Sequence, residues 1–155
     1  MIGVAALDIR LARRSDVPAI IALLADDPIG QRREMPASIE RYLTAFDAMI
    51  VDPAVRCFVA VSDDGAVIGY VQMTITQHLS FCGARRALLE DLRVASQHRN
   101  KGVGSRLIEV AVAAARSADC SIMQLFVHHD RRDADRFYQK IGFRSDHQGL
   151  RLALS

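Results

Sequence analysis

Residues 94–115 read VASQHRNKGVGSRLIEVAVAAA: a basic run, two glycines one residue apart, and then a long apolar helix. The segment just upstream, LLEDLRV, reads as a strand, so the stretch is a strand-to-helix turn. The first turn of a helix presents N–H groups without intrahelical partners and carries roughly half a positive charge. Gly102 and Gly104 let another group approach that backbone closely, because no Cβ stands in the way. Arg99 and Lys101 add cations at the same end. Together they describe an anion cradle, suited to a phosphate or pyrophosphate. The plainer alternative is a tight turn with solvated basic residues. The phosphate-loop pattern GxxxxGK[ST] is not met, because lysine precedes glycine here. The dinucleotide fingerprint GxGxxG fails as well, since Arg106 and Leu107 follow Gly104.

Working outward, LDIRLA alternates as a short opening strand, and RSDVPAIIALLADD is a helix with Ser15 or Asp16 as cap and Pro18 in its first turn. DPIGQRREMP, residues 27–36, reads as a loop. SIERYLTAFDAMIVD then repeats Ile39, Tyr42, Leu43 and Phe46 at helical spacing. Two apolar, β-branched runs flank the DDG at Asp63–Gly65, a hairpin signal, and Gly69 inside the second suggests a bulge. RALLEDLRVAS is a further strand and SIMQLFVHH an apolar one expected at the sheet's centre. DRRDADRFYQKIGF is a short helix ended by Gly142, and GLRLAL is expected as a last strand. The order β-α-α-β-β-β-α-β-α-β describes a mixed α/β sheet flanked by helices, in one domain over residues 1–155.

Composition bounds the function. The chain has 155 residues, a net charge of +2 and no Trp, so neither wholesale nucleic-acid binding nor a base-stacking platform is expected. Three scattered cysteines without a CxxC suggest reduced thiols in a cytoplasm. The N-terminal run MIGVAALDIRLARR is too short in apolar residues for a signal peptide, and no stretch approaches the ~20 residues of a membrane span.

RNKGVG matches the R/Q-x-x-G-x-G/A signature of the GNAT superfamily of acetyl-coenzyme A-dependent N-acetyltransferases. DADRFYQKIGF resembles that family's second hallmark, A-x-x-F-Y-x-x-x-G-F, here Ala134, Phe137, Tyr138, Gly142 and Phe143. IRLARRSDVPAIIALL is also typical, so the resemblance covers nearly the whole chain. It implies a mostly antiparallel central sheet, with the acetyl-CoA pantetheine arm in a splayed gap between the fourth and fifth strands. Backbone groups of Leu92 and Val94 would pair with that arm. Amides of Arg99, Asn100, Lys101, Gly102, Val103 and Gly104, with Ser105, would hold the pyrophosphate. Arg131 stands where the family often has Asn, and either meets the phosphates or faces solvent.

The same resemblance gives the chemistry its parts. A protonated amine must lose its proton before it attacks a thioester. The Val94 N–H is the family-like donor to the oxyanion, and Tyr138 matches the acid that protonates the departing thiolate, or else a tyrosine that only packs. Glu90 is the candidate base: strand alternation would put it on a face with Leu92 and Val94, away from Asp91 and Arg93. Alternatively Glu90 pairs with Arg85 or Arg86. His128 and His129 lack a third metal ligand, and no metal is expected. Cys82 and Cys120 have no activating His-Asp arrangement, so no acyl-enzyme is expected.

The reading is thus an acyltransferase that moves an acetyl group from acetyl-CoA to a primary amine of a small molecule, by direct attack. The alternatives are a protein or peptide N-acetyltransferase and a non-catalytic acyl-CoA sensor. Residues 26–48 would cover the acceptor site, but their mixed charge does not select an acceptor. A homodimer is an open possibility, and no nucleic-acid or membrane partner is expected.

Overall fold

The computed structural model describes residues 7–155; the first six residues of the run MIGVAALDIRLARR, read as too short in apolar residues for a signal peptide, lie outside the described residues. Contacts divide the chain into two compact units, one ending at Gln124 and one running from Leu125 to Ser155.

In the first unit, β1 (Asp8–Leu11), β2 (Val55–Val61), β3 (Val67–Gln77), β4 (Arg85–Val94) and β5 (Cys120–Leu125) form one sheet in chain order. The pairings from β1 to β4 are antiparallel, and β5 runs parallel to β4. A parallel step requires a crossover, which helix α5 (Val103–Ser117) supplies. β5 is therefore the last strand in the order and not central. It also stops at Leu125, so His128 and His129 follow the strand instead of ending it. No residue of β5 is fully buried, which is the burial expected of an edge and not of a doubly covered strand.

The hairpin at Asp63–Gly65 forms as read. Gly65 takes a φ of +85°, and Gly65 N–H donates to Ser62 O at 2.8 Å. The register slips beside Gly69, between Ala60 and Val61. Gly69 itself answers a second need: a Cβ there would stand 2.9 Å from Leu107 Cδ1 and 3.1 Å from Val103 Cγ1 of α5. α5 thus lies against one face of the sheet. Its Leu107, Ala111 and Ala115, spaced by four residues, are all buried. The opposite face is covered by α1 (Val17–Leu24), whose Ile20 and Leu23 pack with Cys57, Val59 and Tyr70. Behind it α3 (Ile39–Ile50) contributes Phe46, against Val17 and Ile21.

Asp16 is buried, and it does more than cap a helix. Its carboxylate accepts two bonds from the Arg10 guanidinium of β1, at 2.7 and 3.0 Å, and one from Arg13 N–H at 2.7 Å. Those Arg10 bonds hold its carboxyl below the ordinary carboxylate range against the opposing push of burial.

Residues 27–36, expected as a loop, contain a helix, α2 (Pro28–Arg33). Asp27 caps it by accepting from Gly30 N–H at 2.6 Å, and Pro28 occupies the first helical position. Gly30 has no room for a Cβ, which would meet Leu24 O at 1.9 Å. A single turn, α4 (Ser80–Gly83), precedes β4; Phe81 and Cys82 in it have positive φ.

In the second unit α6 (Arg132–Ile141) ends at Gly142, whose φ is +108°. Phe143 N–H donates to Tyr138 O at 3.1 Å and Gly142 N–H to Gln139 O at 3.0 Å, the paired bonds of a glycine-terminated helix. The expected last strand, GLRLAL, is absent: residues 149–155 take no regular structure.

Candidate active site

β4 is not a uniform strand. Gln72 pairs with Glu90 and Tyr70 with Arg93, so Asp91 and Leu92 together oppose the single Val71. Asp91 takes a φ of +56° to allow it. This is a bulge, and a bulge removes its extra residue from the ladder and bends the strand. It also resets the alternation. Glu90 and Arg93 now share the face of Gln72 and Tyr70, whereas Val94, paired with Gly69, belongs to the face under α5. The expected grouping of Glu90 with Val94, and of Arg93 on the other side, is corrected by this inserted residue.

Glu90 is exposed, and among the described residues its side chain makes no hydrogen bond or ion pair. Arg85 and Arg86 are engaged elsewhere: Arg85 donates to Ala118 O at 2.6 Å, and Arg86 to Ser80 Oγ at 2.7 Å. Partial desolvation, followed by the neighbouring Asp91 charge, pushes the Glu90 carboxyl above its ordinary range. A carboxylate tuned upward and left without a cation is suited to taking a proton.

Beyond Val94 the chain makes a 3-10 turn, Ser96–His98, then passes through Asn100 at φ +58° and Gly102 at φ +81°. Gly102 is the N-cap of α5 and no side chain caps it. The first bond back to it comes from Arg106 N–H, at 3.0 Å, so Val103, Gly104 and Ser105 carry the amides of the open first turn. A Cβ at Gly102 would meet nothing within 4 Å, so the space over this turn is open. The two cations are less free than the sequence implied. Arg99 Nε donates to Val94 O at 3.0 Å, and Lys101 Nζ to Gln97 O at 2.9 Å. They brace the loop, and the backbone amides of the first turn of α5 are left open.

The sequence reading missed how residues 26–34 reach this strand. Arg99 lies 3.5 Å from Asp26, Arg93 Nε 3.9 Å from Asp27, and Arg33 3.7 Å from Asp91 at the bulge. Arg33 also pairs with Glu34 at 2.8 Å, and Glu34 accepts from Tyr42 Oη at 3.1 Å. The Asp-Pro pair at 27–28 was the available signal, because it fixes the start of α2 and thereby aims Arg33.

Tyr138 and Arg131 belong to the second unit. The Tyr138 ring stands edge-on to Phe137 and Phe143, with centroids 5.2 and 5.8 Å away. The glycine-terminated end of α6 is what folds Phe143 back onto it. Arg131 is the N-cap residue of α6, and its own N–H donates to His128 O at 2.9 Å.

A bulged strand running into an open, glycine-capped helix start is accompanied by a sequence match. Residues 17–143 fit the Acetyltransferase (GNAT) family. The chain belongs to this family. It is an acyltransferase. An aminoalkylphosphonate N-acetyltransferase of Salmonella typhimurium is 26% identical over 147 residues, covering 95% of this chain and 91% of that one. A Bacillus halodurans protein described as a transcriptional regulator is 33% identical, with a TM-score of 0.91, covering 96% of this chain and 99% of its own. The glucosamine-6-phosphate N-acetyltransferase of Arabidopsis thaliana superposes with a TM-score of 0.81 at 19% identity, over 97% of this chain and all of that one, and speaks for the GNAT fold alone. No helix among the described residues is long and apolar enough to cross a membrane.

Proposed function

We propose that this GNAT protein transfers an acetyl group from acetyl-CoA to a primary amine of a small molecule, by direct attack with both bound together. The observation that carries the proposal is the conjunction at the end of β4: a bulge that frees backbone groups near Leu92, followed by the open cradle of Arg99–Ser105. The fit to coenzyme A rests on Gly102, where the space a Cβ would occupy is open and the helix start has no side-chain cap. Leu92 and Val94 would pair with the pantetheine amides, while the amides from Arg99 to Gly104 and Ser105 hold the diphosphate, with Arg131 as a further phosphate ligand. When bound, acetyl-CoA supplies the activated acetyl group.

The chain's own residues do the rest. Glu90 accepts the proton of the incoming ammonium, directly or through water, helped by its raised pKa. The Val94 N–H donates to the acyl oxygen as negative charge grows there. Tyr138 gives its phenolic proton to the departing sulfur. A small amine is favoured as acceptor because the relative from Salmonella, covered over 91% of its length, is named for an aminoalkylphosphonate.

The test is incubation with acetyl-CoA and a panel of small amines, following release of free thiol. Turnover with at least one small amine, and none with peptides, is expected; peptides as the sole acceptors would overturn the acceptor class. Tyr138→Phe should lower kcat by about 10²-fold or more, the usual contribution of a general acid, with little change in coenzyme A affinity. Unchanged kcat would remove Tyr138 from the mechanism.

A further inference from the structure

On the face of the sheet that α1 covers, directly paired residues form a row across the strands: Cys57 on β2, Gln72 on β3 and Glu90 on β4. Burial falls along the row. Cys57 is buried, Gln72 half-buried and Glu90 exposed, so the cover over this face ends at Gln72. Polar neighbours in the next row are engaged: Tyr70 Oη donates to Cys57 Sγ at 3.4 Å, and the Arg93 guanidinium to Leu92 O at 3.0 Å. Gln72 is not. Among the described residues its side-chain amide makes no hydrogen bond, and neither does the Glu90 carboxylate opposite. Directly paired residues have Cβ atoms only about 5 Å apart, close enough for two such long side chains to meet. The pair instead leaves a neutral acceptor oxygen and a carboxylate side by side on the open part of the face. A half-buried amide without a partner adds nothing to the fold, because no protein group replaces the water it loses.

We propose that Gln72 binds the acceptor amine, its Oε1 accepting one N–H of the ammonium while Glu90 takes the proton from another. The assignment rests on the reading of Glu90 as the base of the transfer. A primary ammonium offers three N–H groups, and the base uses only one. A second acceptor on the adjacent strand fixes how the nitrogen is turned, so that the lone pair left behind points in a single direction. A neutral amide suits this role better than a second carboxylate. It holds the N–H without competing for the proton, and it adds no like charge beside Glu90.

The experiment is steady-state kinetics of the full chain and two variants, with ethanolamine, an amino-acid amide and a short peptide offered as acceptors and the fastest of them used throughout. Gln72→Met keeps the side-chain length and removes the acceptor oxygen. It should raise the amine KM by about tenfold or more, the usual loss when a hydrogen bond to a charged group is removed. The KM for acetyl-CoA and the melting temperature should not change. Gln72→Glu restores an oxygen and should recover the amine KM, whereas a glutamine that only packs would tolerate Met better than a second carboxylate beside Glu90. An unchanged amine KM in Gln72→Met would overturn the assignment. So would a loss shared by both substrates together with a lowered melting temperature, or no recovery in Gln72→Glu. The peptide keeps two questions apart: acetylation of the peptide alone overturns the small-molecule acceptor, yet Gln72 meets the ammonium of either. A parent chain that acetylates none of the three overturns both.

Discussion

Gly69 and Gly102 both border the start of α5, and they stand in opposite surroundings. At Gly69 the helix leans so closely on the sheet that even a methyl group would collide with Leu107 and Val103. At Gly102 a methyl group would touch nothing, and only the left-handed backbone asks for glycine. One flank of the helix is clamped so that its end can stay open. Amides held in place by packing elsewhere do not need a side chain to cap them, and they remain aimed at whatever anion arrives. Scaffold and site are therefore separable within one turn of helix, and substitutions on either side should have different signatures.

The largest effect is expected on the clamped flank. Leu107 is fully buried, so Leu107→Ala should destabilise the fold by about 2–5 kcal/mol in urea denaturation. A loss below about 1 kcal/mol would mean that the helix is not clamped there.

Next in size is Asp16, which ties β1 to the start of α1. Asp16→Asn should cost about 1–3 kcal/mol at neutral pH, through loss of a part-buried charged hydrogen-bond pair. The pH dependence has a definite sign. The folded carboxyl titrates below its unfolded value, so its contribution is fully present above about pH 4 and disappears as pH falls through the lowered folded value. The variant's melting temperature should accordingly fall less steeply in acid than that of the parent chain; identical acid limbs would contradict the clamp.

The smallest effect is expected at the bulge. Asp91 raises the Glu90 pKa through its charge, although burial contributes more. Asp91→Asn should shift the acid limb of kcat to lower pH while leaving the fold intact. A limb that does not move would separate Glu90 from the proton transfer.

These contrasts also explain what could be read in the sequence. The strand-turn-helix at residues 94–115 was legible because glycines and helix periodicity are local signals. The hairpin at Asp63–Gly65 and the end of α6 at Gly142 were legible for the same reason. The bulge at Asp91–Leu92 was not, since it exists only in the register between β3 and β4, and strict alternation misassigned the faces of Val94 and Arg93. α2 was hidden by its Pro and Gly, which read as loop residues although Pro28 and Asp27 start a helix. The central position expected for β5 rested on apolar content, which does not distinguish an edge strand from a covered one. The strand expected at 149–154 carries the right alternation, but alternation alone does not supply the paired edge a strand needs, and these residues take no regular structure. Of the candidate site, the uncapped helix start at Gly102 was legible; the engagement of Arg99 with Val94 O and Asp26, and of Arg33 with Asp91, depends on long-range placement.

The central claim is that the open turn at Gly102 receives the diphosphate of coenzyme A, and calorimetric titration of coenzyme A into the parent chain and Gly102→Val tests it most directly. The parent should bind with measurable heat, and the variant should bind at least about tenfold more weakly, a difference of about 1.4 kcal/mol. Equal affinity in the two proteins, or no heat from the parent at millimolar coenzyme A, would contradict the account.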